Sequence, residues 1–589
     1  MKKYILFFLT FLFIISPVYS LNKSVIDITQ MTMSDELELL DKGVITSYEL
    51  ANLYLDRINT YNSTFNALIT VNPNVLEEAI EMDELRSKGE IKGRLHGVFI
   101  IVKDNIDVKG MPTTAGAKAL SDNYPREDAP IIKKLKDEGA IVIAKANMSE
   151  FAFSARDSNS SYGYVNNAFR IGYTSYGSSG GSAVSLALDF GSVAIGTDTN
   201  SSVRLPAAAS GLVGIRPTYG KLNNKGIIAY DIYRDTAGII SKSVEDNALI
   251  MEILTDESYE LNNDEKIRIG VPTSFYIGDS KSAIAANKLT FLPIKEMMDE
   301  EISRLENEGI EIVYIDNYYG SKEESYNNNS VAGFTMCKAF NEYIKNTDSR
   351  IRSFKELTKS NGKITGLGGY LKSCNYNNKD IKKADEYKDK LRNHVDSVFD
   401  EYDLDYIMYP VTKNEIYEKN DNDKLLNVSK TVSSTIGYPS IVVPLGYYDN
   451  MPYGLELMGK ANEENKLYKI AYIIQEHNNL INSHDTAADK LYVVDDQVNE
   501  LVKLYLDNYD NENKKEWLNK VYNYFRNYNE IANYLEEAQL LIDEFYKEET
   551  ILKDDEDVII YGFSFIILAI IPYSKKYIER RKRVNNILY

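Results

Sequence analysis

Soft metal ligands are scarce in this chain. Its 589 residues include two cysteines, Cys337 and Cys374, and four histidines. None falls in a CxxC or HExxH spacing, which argues against a structural or catalytic zinc site. Whether the two cysteines pair is left open by their positions. Positive charge is also in short supply: 67 basic residues face 87 acidic ones, for a net charge of −20. Sequence-independent binding to nucleic acid needs clustered Lys and Arg, so no nucleic-acid partner is expected. No internal repeat with a fixed period is present.

Each end of the chain carries an apolar run. Lys2 and Lys3 precede an apolar stretch over 4–15, then Pro17 and small residues to Ser20. This pattern predicts a secretory signal peptide over 1–20. Near the other end, the run over 558–573 carries no charge. Acidic residues 554–557 precede it, and Lys575, Lys576, Arg580, Arg581, Lys582 and Arg583 follow. Basic residues just past an apolar run are the positive-inside pattern. The expectation is a transmembrane helix over 557–574 with a basic cytoplasmic tail over 575–589. The body of the protein would then lie outside the membrane, at the cell surface.

Between these ends, residues 21–485 alternate helical and strand-like patterns, which indicates an α/β architecture. Residues 33–62 read as helical, with Ser34 and Thr46 as candidate N-caps. Residues 97–103, GVFIIVK, read as a buried strand and 140–145 as another. A short helix is expected over 131–136. From 486 the composition turns acidic and helical, predicting a spacer or subdomain over 486–556.

The most informative stretch is 177–206, GSSGGSAVSLALDFGSVAIGTDTNSSVRLP. Two serine-bearing loops flank a helix expected over 183–188 and a strand over 192–196. The arrangement can set hydroxyls beside free backbone N–H groups, as carbonyl chemistry requires. Upstream, Lys103 ends an apolar strand. Desolvation there would lower its pKa and make it a usable base. A shift from ~10.4 to near 7 costs about 4–5 kcal/mol. Lys103 and Asp104 need not pair, because successive strand side chains point to opposite faces. Residues 177–181 also satisfy GxSxG, a nucleophile elbow with Ser179 as nucleophile. That alternative needs a strand before the serine, and 171–176 is a poor one.

Several further segments join this stretch in one pattern. They are LHGVFIIVKDNIDVKGMPTTAGA, DAPIIKKLKDEGAIVIAKANMSEFA, GTDTNSSVRLPAAASGLVGIRPTYG, DTAGIISKSVEDNALIMEIL and GYPSIVVPLGYYDNMPYGLELMG. In order and spacing the chain resembles the amidase signature family over roughly 25–480. The resemblance implies a large twisted mixed β-sheet covered by helices, with neither metal nor organic cofactor. It also implies a Ser–cis-Ser–Lys triad: Ser202 as nucleophile, Ser178 as the bridging serine after a cis peptide bond, and Lys103 as base. Backbone N–H groups of Thr199, Asn200 and Ser201 would form the oxyanion hole, and Asp198, Arg204 and Ser179 would support the loops. The family usually carries two glycines where this chain has Asn200 and Ser201. Asparagine tolerates left-handed backbone better than most residues, so activity is the favoured reading. The expected activity is hydrolysis of a small-molecule or peptide amide. The alternative is a catalytically silent surface protein that uses the same fold for binding.

Overall fold

The computed structural model describes residues 27–29, 31–262, 266–273, 290–315, 331–375, 378–419, 432–478 and 486–489. The expected signal peptide, the transmembrane run and the basic tail lie outside these residues, as does nearly all of the expected spacer. Among the described residues no helix is long and apolar enough to cross a membrane. Thr486–Asp489, where the expected spacer begins, is packed on the body. Ala487 and Ala488 are buried, and Asp489 lies 3.1 Å from Arg57.

Eleven strands of the described residues form one mixed sheet. In chain order they are β1 Leu68–Val71, β2 Phe99–Lys103, β3 Ile141–Ala146, β4 Val193–Asp198, β5 Val213–Arg216, β6 Thr236–Ser241, β7 Arg268–Pro272, β8 Glu311–Ile315, β9 Tyr406–Pro410, β10 Ser440–Tyr448 and β11 Met451–Met458. Their order across the sheet is β1-β3-β2-β4-β6-β5-β10-β11-β9-β7-β8. The second to fourth strands in that order are parallel, with β2 between β3 and β4. Strand β6 then runs antiparallel to β4. Every residue of β2, β3 and β4 is buried, as the near-continuous apolar runs of doubly covered parallel strands require. Helices supply the cover. Ser47–Phe65 buries Leu50, Tyr54, Ile58 and Phe65, and Tyr54 meets the Phe99 ring edge-on at 5.7 Å.

Four local expectations need correction. Residues 33–62 form two helices, Met33–Asp41 and Ser47–Phe65, separated at Gly43 with φ 64°. The first is capped by Thr32, which shares a capping box with Asp35. Ser34 has leucine three residues on and cannot close such a box; its hydroxyl donates to Asp246 at 2.6 Å. Thr46 caps the second helix as expected. Downstream, the helix expected over 183–188 spans Gly180–Ala187, and the strand expected over 192–196 continues to Asp198. The earlier helix start depends on glycine, since a Cβ at Gly181 would sit 2.1 Å from the Asn147 carbonyl oxygen.

A separate apolar core forms beside the sheet. Met336, Cys337, Phe340, Phe354 and Leu367 pack there against Leu120, Phe151 and Ile228. Within this unit Cys337 and Cys374 form a disulfide.

Candidate active site

Strands β2 and β4 are parallel neighbours, with Val102 opposite Ile195. Their carboxyl ends therefore finish side by side, the usual position for a site in an open α/β sheet. Lys103 is the last residue of β2 and Asp198 the last of β4. The Lys103 ammonium nitrogen Nζ lies 2.7 Å from Ser178 Oγ, 2.7 Å from Thr197 Oγ1 and 3.2 Å from the Thr197 carbonyl oxygen. Asn105 Nδ2 donates to the same Thr197 hydroxyl at 3.2 Å. Lys103 and Ser178 are fully buried, and Ser202 is 4 % exposed. Burial pushes the Lys103 pKa down to about 7, although Asp198 and Asp235 pull against it.

The Gly177–Ser178 peptide bond is cis. A Cβ on Gly177 would sit 2.3 Å from the Ser154 carbonyl oxygen, so glycine is required by close approach. The Ser179 N–H donates to the Ser202 carbonyl at 3.1 Å, and Ser179 Oγ donates to the Thr197 carbonyl at 3.2 Å. Ser179 thus joins the two serine loops. No strand leads into it, because residues 171–176 make only isolated bridges. The nucleophile-elbow alternative has no elbow to stand on.

The loop from Thr199 to Ser202 is held from several sides. Thr199 Oγ1 donates to Asp235 Oδ1 at 2.6 Å. Arg234 Nη1 donates to the Asn200 side-chain oxygen at 2.9 Å, and Arg204 donates to the Asn200 carbonyl. None of Thr199, Asn200, Ser201 and Ser202 has a positive φ. The bulkier residues in place of glycine therefore carry no left-handed strain. The backbone N–H groups of Thr199, Asn200 and Ser201 find no protein acceptor among the described residues. Beneath the loop, Asp198 takes Arg204 Nε at 3.2 Å, Arg216 Nη1 at 3.2 Å and the Val203 N–H at 3.0 Å. Burial opposes the Asp198 charge, yet the two guanidiniums hold its pKa at about 2. Arg204 also binds Glu456 on β11.

The structure therefore joins Lys103 to Ser178 and ties the Ser178–Ser179 loop to the Thr199–Ser202 loop through the Ser179 N–H and the Ser202 carbonyl. Reading the sequence alone missed Thr197, which holds Lys103, and Asp235, which anchors Thr199. Both stand in the motif segments quoted above, but neither carries an obvious chemical signature there. Burial, with Asp231 beside it, raises the Asp235 pKa to about 7. Among the described residues no group of histidine, cysteine and carboxylate side chains is arranged to hold a metal ion.

The chain is similar to known proteins over most of its length. The Amidase family model matches residues 49–468. A glutamyl-tRNA(Gln) amidotransferase subunit of Thermoanaerobacter pseudethanolicus is 30% identical over 479 residues, covering 77% of this chain and 97% of that protein. The native peptide amidase from Stenotrophomonas maltophilia superposes with a TM-score of 0.67 at 27% identity, over 76% of this chain and 97% of its own. The corresponding glutamyl-tRNA(Gln) amidotransferase subunit from Thermotoga maritima gives a TM-score of 0.60 at 25% identity, over 77% of this chain and 96% of its own.

Proposed function

This chain belongs to the amidase family, whose members are amidohydrolases with a serine nucleophile, and from that premise we propose a reaction and a setting for it. Neutral Lys103 accepts the Ser178 hydroxyl proton while Ser178 takes the proton of Ser202. Ser202 Oγ attacks the amide carbonyl, and the Thr199, Asn200 and Ser201 N–H groups receive the oxyanion. Collapse of the adduct breaks the C–N bond. The proton returns through Ser178 to the leaving amine. Water then enters, is deprotonated by the same relay, and releases the acid from Ser202.

The observation that supports this reading most is the 2.7 Å contact between Lys103 and Ser178 in a fully buried setting. A lysine with a pKa near 7 is neutral in a large fraction at working pH. The substrate we favour is a peptide or small-molecule carboxamide, as the name of the peptide amidase relative suggests for that protein. Use of charged tRNA is disfavoured by the net charge of −20.

For location, we favour an exported enzyme anchored by its C-terminal helix, with the catalytic domain outside. The sequence at both ends supports it, and so does the Cys337–Cys374 disulfide, since such bonds persist in oxidising compartments. Protease treatment of intact cells should release the catalytic domain; a fully protected domain overturns this placement.

The chemical test is a fluorophosphonate probe together with a panel of carboxamides. We expect labelling of the wild type and its loss in Ser202→Ala, with kcat down by about 10^4-fold or more. Labelling that survives in Ser202→Ala refutes the nucleophile assignment.

A further inference from the structure

Three partly exposed aromatic rings meet beside the catalytic loops. Phe153 lies edge-on to Tyr230 at 4.9 Å between centroids and to Tyr370 at 5.1 Å. Each ring is fastened to a different part of the site. Phe153 follows a turn in which Phe151 and Ala152 have φ of 53° and 59°. The next residue, Ser154, donates its N–H to Ser149 Oγ at 3.0 Å, and the Ser149 N–H donates to the Ser178 carbonyl at 3.1 Å. This ring is therefore tied to the loop of the proposed relay serine. The Tyr230 N–H donates to Asp235 Oδ2 at 2.7 Å, and Asp235 Oδ1 accepts the Thr199 hydroxyl. That ring is tied to the loop of the proposed nucleophile. Tyr370 comes from Gly368–Asn375, which the Cys337–Cys374 disulfide fastens to the helix Ala332–Tyr343.

Neighbouring apolar side chains behave differently. Leu367, Phe340 and Met336 of the same unit are all but fully buried, whereas the three rings keep part of their surface open. Aromatic surface left in water forfeits the stabilisation of burial, which a bound apolar group would recover. The charge nearby is acidic: Asp231 and Asp235 share the Tyr230 loop, and the Arg234 guanidinium is directed to Asn200. An anionic side chain would be repelled there.

We propose that Phe153, Tyr230 and Tyr370 form the surface that receives an aromatic or bulky aliphatic side chain on the acyl side of the scissile amide. The inference rests on the amide hydrolysis proposed above. When the substrate is a primary carboxamide the leaving group is ammonia, so recognition falls to the acyl side. Tyr370 adds a constraint of its own, because its place beside Phe153 depends on a segment closed by the disulfide.

The test uses the full-length protein in detergent with N-acetylated phenylalanine, leucine, glycine and aspartate amides. The expected kcat/KM for phenylalanine amide exceeds that for glycine amide by about tenfold or more, with aspartate amide poorest. Phe153→Ala and Tyr370→Ala should each shrink the phenylalanine-to-glycine ratio by about fivefold, chiefly through KM. Tyr370→Phe, which keeps the ring, should retain the ratio. So should Tyr48→Ala, on an exposed face of the helix Ser47–Phe65. The ratio is internal to each variant, so an inactive folded fraction cancels. A wild-type ratio near one, or a ratio unchanged in both alanine variants, overturns the proposal. Turnover of every amide at one rate refutes the aromatic surface alone. Absence of both turnover and fluorophosphonate labelling refutes it together with the hydrolase reading on which it rests.

Discussion

Lys103 and Lys145 stand on adjacent parallel strands, each fully buried. Burial lowers the pKa of both. Their partners separate them. Lys145 has Asp104 at 3.5 Å, with the Pro112 carbonyl and the Thr113 hydroxyl at 3.1 and 3.2 Å. Lys103 has two hydroxyls and a carbonyl, and among the described residues no carboxylate within ion-pair distance. A carboxylate partner favours the charged lysine, whereas hydroxyl partners serve the neutral amine as well. Desolvation alone thus does not make a base. What matters is desolvation without a counter-ion, next to a hydroxyl whose proton can be taken.

The contrast can be broken by replacing each lysine with methionine. Lys103→Met should lower kcat by about 10^2- to 10^4-fold, the span of general-base catalysis, with the protein still folded. Lys145→Met leaves Asp104 as an unpaired buried charge and should cost about 3–5 kcal/mol of stability. Its kcat per labelled Ser202 should stay within about threefold of wild type, as expected for a loss confined to structure. Denaturant unfolding and active-site titration read the two effects separately. Equal losses of kcat per labelled site in the two variants would remove the distinction.

The same contrast was partly legible in the sequence. Alternation along a strand already separates Lys103 from Asp104, and the structure gives Asp104 to Lys145 instead. Lys103, Ser178 and Ser202 could be named because their motifs are local and specific. Thr197 could not, since its role depends on how β2 and β4 align. Asp235 was obscure for a similar reason: its contact with Thr199 joins residues 36 positions apart. The Cys337–Cys374 bond escaped because spacing alone says nothing about Cβ geometry. Helix ends were misplaced where a capping box or a glycine contact decides, as at Thr32 and Gly181. The mixed sheet was legible in outline, from buried runs such as FIIVK, but its strand order was not.

A smaller effect sharpens the assignment of the base. If Lys103 must be neutral to act, kcat/KM rises with pH up to about 7 and then levels. The sign follows from the lowered pKa: below it the amine is protonated and cannot accept from Ser178. Lys145→Met should keep this limb in place, because Lys145 takes no part in the relay. Loss of the limb in Lys145→Met would assign the ionisation to the wrong lysine.

The smallest effect concerns Asp235. Burial raises its pKa to about 7, into the same range as Lys103, and when ionised it favours the charged lysine. The two groups are coupled, so the observed limb belongs to the pair. Asp235→Asn removes the charge; its one amide oxygen can still accept from the Tyr230 and Asp231 N–H groups while its NH2 donates to the Thr199 hydroxyl. Without that charge Lys103 gives up its proton more readily, and the limb should move to lower pH and approach the shape of a single ionisation. The fraction of plateau activity retained at about pH 6, below the lowered lysine pKa, should therefore increase, while the plateau itself changes little. A limb that shifts to higher pH, or stays where it was, would show that the group being titrated is not a lysine sensing Asp235.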